Sequence, residues 1–253
     1  MAVNKKRVKS LPNPAIPLFK KRITIICIIC GVVMPFIANY VLSYIMINIK
    51  DNLLYTTEFE LLNAFITALT TVSMFALFGV IVNSIVRFGL KKSIVPLCFG
   101  VARTLLFYIF TIELCANDMG IGFFDFLSAS FSSVALNAGI DLLLLAGVVI
   151  LTVFLRAKFL NEKKTNITVK KFFDFKNPLI AIYIWVIILV FAFYLSGCIT
   201  ETVSIILAYN SYEVFALISP YLGVIGKTAV GYVIMWGCAK WLDFQWKSLN
   251  NAK

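Results

Sequence analysis

Apolar residues run through the chain in six long, nearly unbroken stretches, at 23–49, 61–86, 93–115, 129–155, 178–196 and 215–242. A helix needs about 20 mainly apolar residues to cross the roughly 30 Å hydrocarbon core of a bilayer. Each stretch therefore predicts one transmembrane helix, and together they predict an all-α, polytopic membrane protein with six spans. A β-barrel would instead show segments of about 10 residues with alternating polarity. The first stretch is too long for the apolar core of a signal peptide and no small-residue cleavage pattern follows it, so it is expected to remain as an anchor. Apolar sequence continues past span 5 to Tyr209, as an extension of the helix or as an interfacial segment, which leaves the depth of Glu201 open.

Composition agrees with this pattern. Of 253 residues, 61% are hydrophobic and 14% are charged, and the mean hydropathy of +0.93 lies outside the range of soluble domains. The net charge of +11 invites a nucleic-acid reading, but the positions of the basic residues favour another. Seven precede span 1, three lie between spans 2 and 3, seven between spans 4 and 5, and three near the C-terminus, which gathers 20 of the 23 on one side of the membrane. Lys and Arg concentrate in cytoplasmic loops. The expected topology thus puts both termini in the cytoplasm, with the basic groups as topology signals and contacts for anionic lipid rather than for nucleic acid.

The domain organisation that follows is a basic cytoplasmic arm at 1–22, a transmembrane domain at 23–242 and a cytoplasmic tail at 243–253. The loop from Arg156 to Lys176 is too short to form a domain. Six spans permit two inverted three-helix halves. The one echo between them is a Pro-to-base spacing of seven residues, from Pro96 to Arg103 and from Pro220 to Lys227.

Three ionisable residues fall near the middle of their spans: Arg103, Asp141 and Lys227. A charge at the bilayer centre costs about 2.5–3.5 kcal/mol on insertion scales, so each is expected to face the bundle interior. Polar residues lead towards them. Ser130, Ser133, Asn137 and Asp141 recur at helical spacing in span 4, and below Asp141 the helix reads LLLLAGVVIL. Ser219, Gly223 and Lys227 repeat the pattern in span 6, and Asn63, Thr67, Thr70 and Thr71 occupy the outer half of span 2. Span 1 adds Asn39 and Ser43, and span 3 adds Thr104, Tyr108 and Thr111. The inner halves are more apolar, with Asn83 and Ser84 as exceptions.

This distribution predicts a cavity open to the outside that narrows towards the three charges above an apolar plug. Arg103 and Lys227 would bind an anionic group, Asp141 would orient a cation, meet an ammonium group or exchange a proton, and Asn137 and Thr67 would line the approach. The expected activity is capture or transport of a small anionic or zwitterionic solute at a plasma membrane. The alternative is a non-catalytic structural or assembly subunit, in which the charges form an ion triad that fixes helix register and Ser, Thr and Asn join helices by hydrogen bonds.

Enzyme chemistry has little to work with. The chain has no His, which removes Ser-His-Asp and Cys-His catalysis and His-ligated zinc or haem. Gly226-Lys227-Thr228 resembles the end of a phosphate-binding loop, but Tyr221 stands where that motif needs Gly. Cys27 and Cys30 form a CxxC in an apolar setting where Cys packs as a small hydrophobe, and neither a cofactor nor a metal site is expected. With no nucleotide-binding motif, an ATP-driven cycle would need a separate ATPase, docked on the basic arm or on the loop from Arg156 to Lys176. Other membrane subunits are the alternative partners to such an ATPase.

Overall fold

The computed structural model describes residues 15–45, 57–160, 178–208 and 214–251. The first fourteen residues of the basic arm and loop residues 161–177 lie outside the described residues. Six helices are long and apolar enough to cross a membrane. They are α1 (Ala15–Ile28, continued by two π-helical segments), α2 (Thr57–Phe88), α3 (Ile94–Met119), α4 (Phe123–Leu160), α5 (Pro178–Ala208) and α6 (Val214–Asn251).

Several helices outrun their apolar stretches. Helix α1 takes in Lys20, Lys21 and Arg22, and α6 continues beyond Leu242 through Trp246 and Lys247. Long basic side chains and Trp suit the boundary between lipid and water, because an apolar body can stay in the hydrocarbon while the polar tip reaches out. Helix α5 runs unbroken to Ala208, so Glu201 stands exposed on the same helix that crosses the membrane.

Polar contacts identify one end of the bundle. The ring of Phe19 in α1 meets Phe88 of α2 and Trp246 of α6, and the Arg87 guanidinium lies over the Phe19 and Trp246 rings. Arg87 also forms a salt bridge with Asp243 of α6, and its Nε donates to Asn83 Oδ1 at 2.7 Å. From α4, Arg156 Nε donates to Val86 O at 3.0 Å. Between α2 and α3 the chain turns at Gly89, whose φ of 81° lies in the left-handed region that an L side chain rarely adopts.

The core fills the half of the bundle next to this end. Helix α2 is its axis, with every residue from Phe75 to Ile85 buried. Against it pack Phe19, Ile23 and Cys27 of α1, Leu144 and Val148 of α4, Ile182, Val186 and Val190 of α5, and Met235, Ala239 and Leu242 of α6. Tyr183, fully enclosed, donates its hydroxyl to Gly79 O at 2.7 Å. Helices α2 and α6 approach so closely that a Cβ on Gly231 would come within 2.4 Å of the Phe75 ring.

The Arg87–Asp243 side chains are 20% and 27% exposed, which places the pair between exposed and buried bridges. Exposed pairs contribute about 0–1 kcal/mol and breaking a buried one costs about 3–5 kcal/mol. Arg87→Ala is therefore expected to cost about 2 kcal/mol, read as a lower thermal unfolding midpoint in mild detergent. The reversed pair, Arg87→Asp with Asp243→Arg, should recover part of that loss, whereas equal destabilisation of the single and reversed variants would show that the pair contributes nothing.

Candidate functional site

In the other half of the bundle the helices stand apart around polar residues. Helix α1 is widened here by its own sequence. Pro35 has no N–H for the helical ladder and its ring crowds the preceding turn. Helix α1 accommodates it with wide π-helical turns at Ile29–Val33 and Phe36–Leu42. Such turns are rare and frequent at functional sites. Asn39 lies in the second of them, buried, with Oδ1 accepting a hydrogen bond from Thr70 Oγ1 of α2 at 3.1 Å. Its Nδ2 is buried and has no hydrogen-bond partner.

Two cavities meet around Arg103. The outer one has a volume of about 480 Å³ and collects Asn39 and Ser43 from α1, Thr67, Thr70 and Thr71 from α2, Thr111 and Cys115 from α3, Tyr194 from α5 and Lys227 from α6. The inner one, of about 140 Å³, is walled by Leu77, Phe78, Phe107, Leu144 and Leu145, with Asp141 and Thr104 as polar lining. Thr70, Met74, Arg103, Phe107 and Tyr194 line both. Immediately beyond the inner cavity lies the packed core.

Arg103 is fixed from α2. Its Nε donates to Ser73 Oγ at 3.3 Å and its Nη2 donates to Thr70 O at 3.0 Å. These two bonds leave further N–H groups of the guanidinium for the cavity. Asp141 is held from α3 by the Tyr108 hydroxyl, which donates to Oδ2 at 2.9 Å. Beside them Tyr194 donates to Met74 Sδ at 3.4 Å, which orients its ring along the boundary of the two cavities.

Of the five residues singled out from sequence, Arg103 and Asp141 share the inner cavity, and Arg103, Lys227 and Thr67 share the outer one. Asn137 is exposed and lines neither. The reason is local to α4: no residue from Phe123 through Leu143 is buried, and Phe124, Phe131 and Leu136 are exposed, so the polar stripe above Asp141 is little covered by the bundle. The three charges do not form an ion triad. Among the described residues, Arg103, Asp141 and Lys227 form no ion pair with one another, and Lys227 is exposed. Sequence reasoning counted Asn39 and Tyr108 only among the polar residues leading to the charges, without a binding role, and gave no role to Ser73 or Tyr194. The proline at 35, four residues before Asn39, is the one signal that marks this turn of α1 as unusual.

A bundle of six apolar helices with a polar cavity in one half is a multi-pass membrane protein, and its environment is the lipid bilayer. No protein-family model, curated protein or solved structure matches the chain.

Proposed function

We propose that the protein captures a small anionic or zwitterionic solute from the external side of a plasma membrane. The basic end of the bundle, with Lys20, Lys21, Arg22, Lys91, Lys92, Arg156 and Lys158, faces the cytoplasm under this reading. The cavities then open outward and the packed core seals the inner side. One observation carries the assignment. The outer cavity is lined by two cations, Arg103 and Lys227, and by no acid, and next to them is the buried Asn39 amide with an unused N–H group. Cationic and amide donors in an apolar recess are the chemistry that binds a carboxylate or phosphate oxygen. The volume of about 480 Å³ lies within the usual range of about 300–1,000 Å³ for small-molecule sites.

A second reading, a structural subunit of a membrane complex, draws on α4. Ser133 and Asn137 are exposed in the first half of α4, where no residue is buried and another membrane protein could satisfy them.

Thiol labelling separates the two. In a chain whose six native cysteines have been replaced, single cysteines at Ser43, Thr67 and Thr71 should react with a membrane-impermeant reagent added outside, and cysteines at Leu77 and Ile81 should not. Reaction at the first three only with a membrane-permeant reagent, or only from the cytoplasmic side, would show that no water-filled cavity opens outward.

A further inference from the structure

Resting on the capture reading, the geometry points to a zwitterion as the solute, bound with its ammonium group inward at Asp141 and its anionic group at Arg103. The outer cavity is lined by positive charge alone, whereas the inner one has Asp141 on its wall as well as Arg103. Opposite charges that line one cavity in a membrane interior would be expected to close on each other, because an unpaired charge there is costly. Here each is tied to a different neighbour. Arg103 is drawn to α2 by Ser73 and by the carbonyl of Thr70. Asp141 is drawn to α3 by Tyr108, which occupies Oδ2 and leaves Oδ1 for another donor. The two charges are thus held on the wall of one small cavity without cancelling.

A molecule with one charge of each sign satisfies both. Its ammonium group donates to Asp141 in the inner cavity, where Leu144 and Leu145 exclude water and strengthen the attraction. Its carboxylate lies where the two cavities join, within the field of Arg103 and on the side of the unpartnered Asn39 amide. The rest of the molecule extends into the outer cavity past Thr67 and Thr71, with Lys227 available to a second anionic group. A simple anion satisfies Arg103 and Asn39 but brings a negative charge beside Asp141 with nothing to offset it.

The experiment uses the full chain in lipid nanodiscs and three families of probe, with binding read by calorimetry and by thermal stabilisation. Each family contains a zwitterion, an analogue without its ammonium group and an analogue lacking a carboxylate: leucine, 4-methylpentanoate and 3-methylbutylamine; 5-aminopentanoate, pentanoate and pentylamine; glutamate, glutarate and 4-aminobutyrate. In at least one family the zwitterion should bind about tenfold or more tightly than the analogue without ammonium, the difference expected for one hydrogen bond to a charged group. Asp141→Asn should remove that advantage, weakening the zwitterion by loss of its ammonium partner and relieving the repulsion that the ammonium-free anion meets. The comparison on the unaltered chain stands even if Asp141→Asn fails to fold, and Tyr108→Phe, which keeps the carboxylate but loosens it, should reduce the advantage in part. Equal binding of zwitterion and ammonium-free anion would overturn the zwitterion assignment and leave the capture reading in place. If no probe in any family binds, both are overturned.

Discussion

Replacing Gly231 with leucine should leave little folded protein. The hydrogen of Gly231 faces the ring of Phe75, and a Cβ built there meets three ring carbons at 2.4–2.6 Å. Phe75 is fully buried on α2, and since its ring also borders the outer cavity it can withdraw only by intruding into that space and giving up its packing in the core. Extra methylenes in a packed interior typically cost about 1–3 kcal/mol and occasionally more. Gly231→Ala should fall in that range of about 1–3 kcal/mol, and leucine, with three further carbons, should exceed it. Against total stabilities of about 5–15 kcal/mol, such a loss is enough to lower yield and shift the thermal midpoint strongly. A compensating change identifies the cause. Phe75→Leu in the Gly231→Ala background should be less harmful than the two single effects added together, because the smaller side chain vacates the space that Cβ needs. Strict additivity would show that the two positions do not press on each other.

Arg103→Gln should weaken solute binding by about tenfold to a hundredfold, corresponding to the loss of a charge-assisted hydrogen bond of roughly 1.5–3 kcal/mol. Folding should suffer much less. Glutamine retains an N–H donor for Ser73 or for the Thr70 carbonyl, and no carboxylate among the described residues depends on Arg103 for an ion pair. This contrast separates a binding cation from a register-fixing one. A register role predicts that removing the charge destabilises the bundle and leaves any solute binding of the folded fraction intact. Affinity measured on the monodisperse fraction, together with its thermal midpoint, distinguishes these outcomes.

The six spans were legible because lipid imposes a length and a polarity that show directly in sequence, and α2, α3 and α5 each cross where an apolar stretch announced them. Helix ends were less legible. Helix α4 begins at Phe123, six residues before its apolar stretch, and α6 takes in Trp246 and Lys247, amphipathic side chains that an apolar stretch does not record. In the candidate site, the cost of a midplane charge singled out Arg103, Asp141 and Lys227, the polar outer half of span 2 singled out Thr67, and helical spacing in span 4 singled out Asn137; the first four line the cavities. The same spacing put Asn137 beside Asp141, but periodicity places residues on one face of a helix and says nothing about where that helix leaves its neighbours. Asn39 was visible only as one polar residue among many. Its exceptional state, buried with an unused donor, comes from the π-helical turns around Pro35, a tertiary outcome. Arg87 was legible as a topology charge, whereas its bond to Asp243 joins residues far apart in sequence on two different helices.

The uneven packing of the bundle makes its helices levers. Where Gly231 of α6 crosses Phe75 the helix is clamped, and its cover thins through Thr228 and Val224 until near Leu217 it is only partial. At 1.5 Å per residue the arm from Gly231 to Leu217 is about 21 Å long, so a tilt of about 5° at the clamp moves the tip by roughly 1.8 Å. A displacement of that size is about two-thirds of the diameter of a water molecule and alters the width of the mouth while the fulcrum barely moves. Small adjustments in the dense half, of the kind a side chain makes without changing rotamer, therefore translate into opening and narrowing at the far rim.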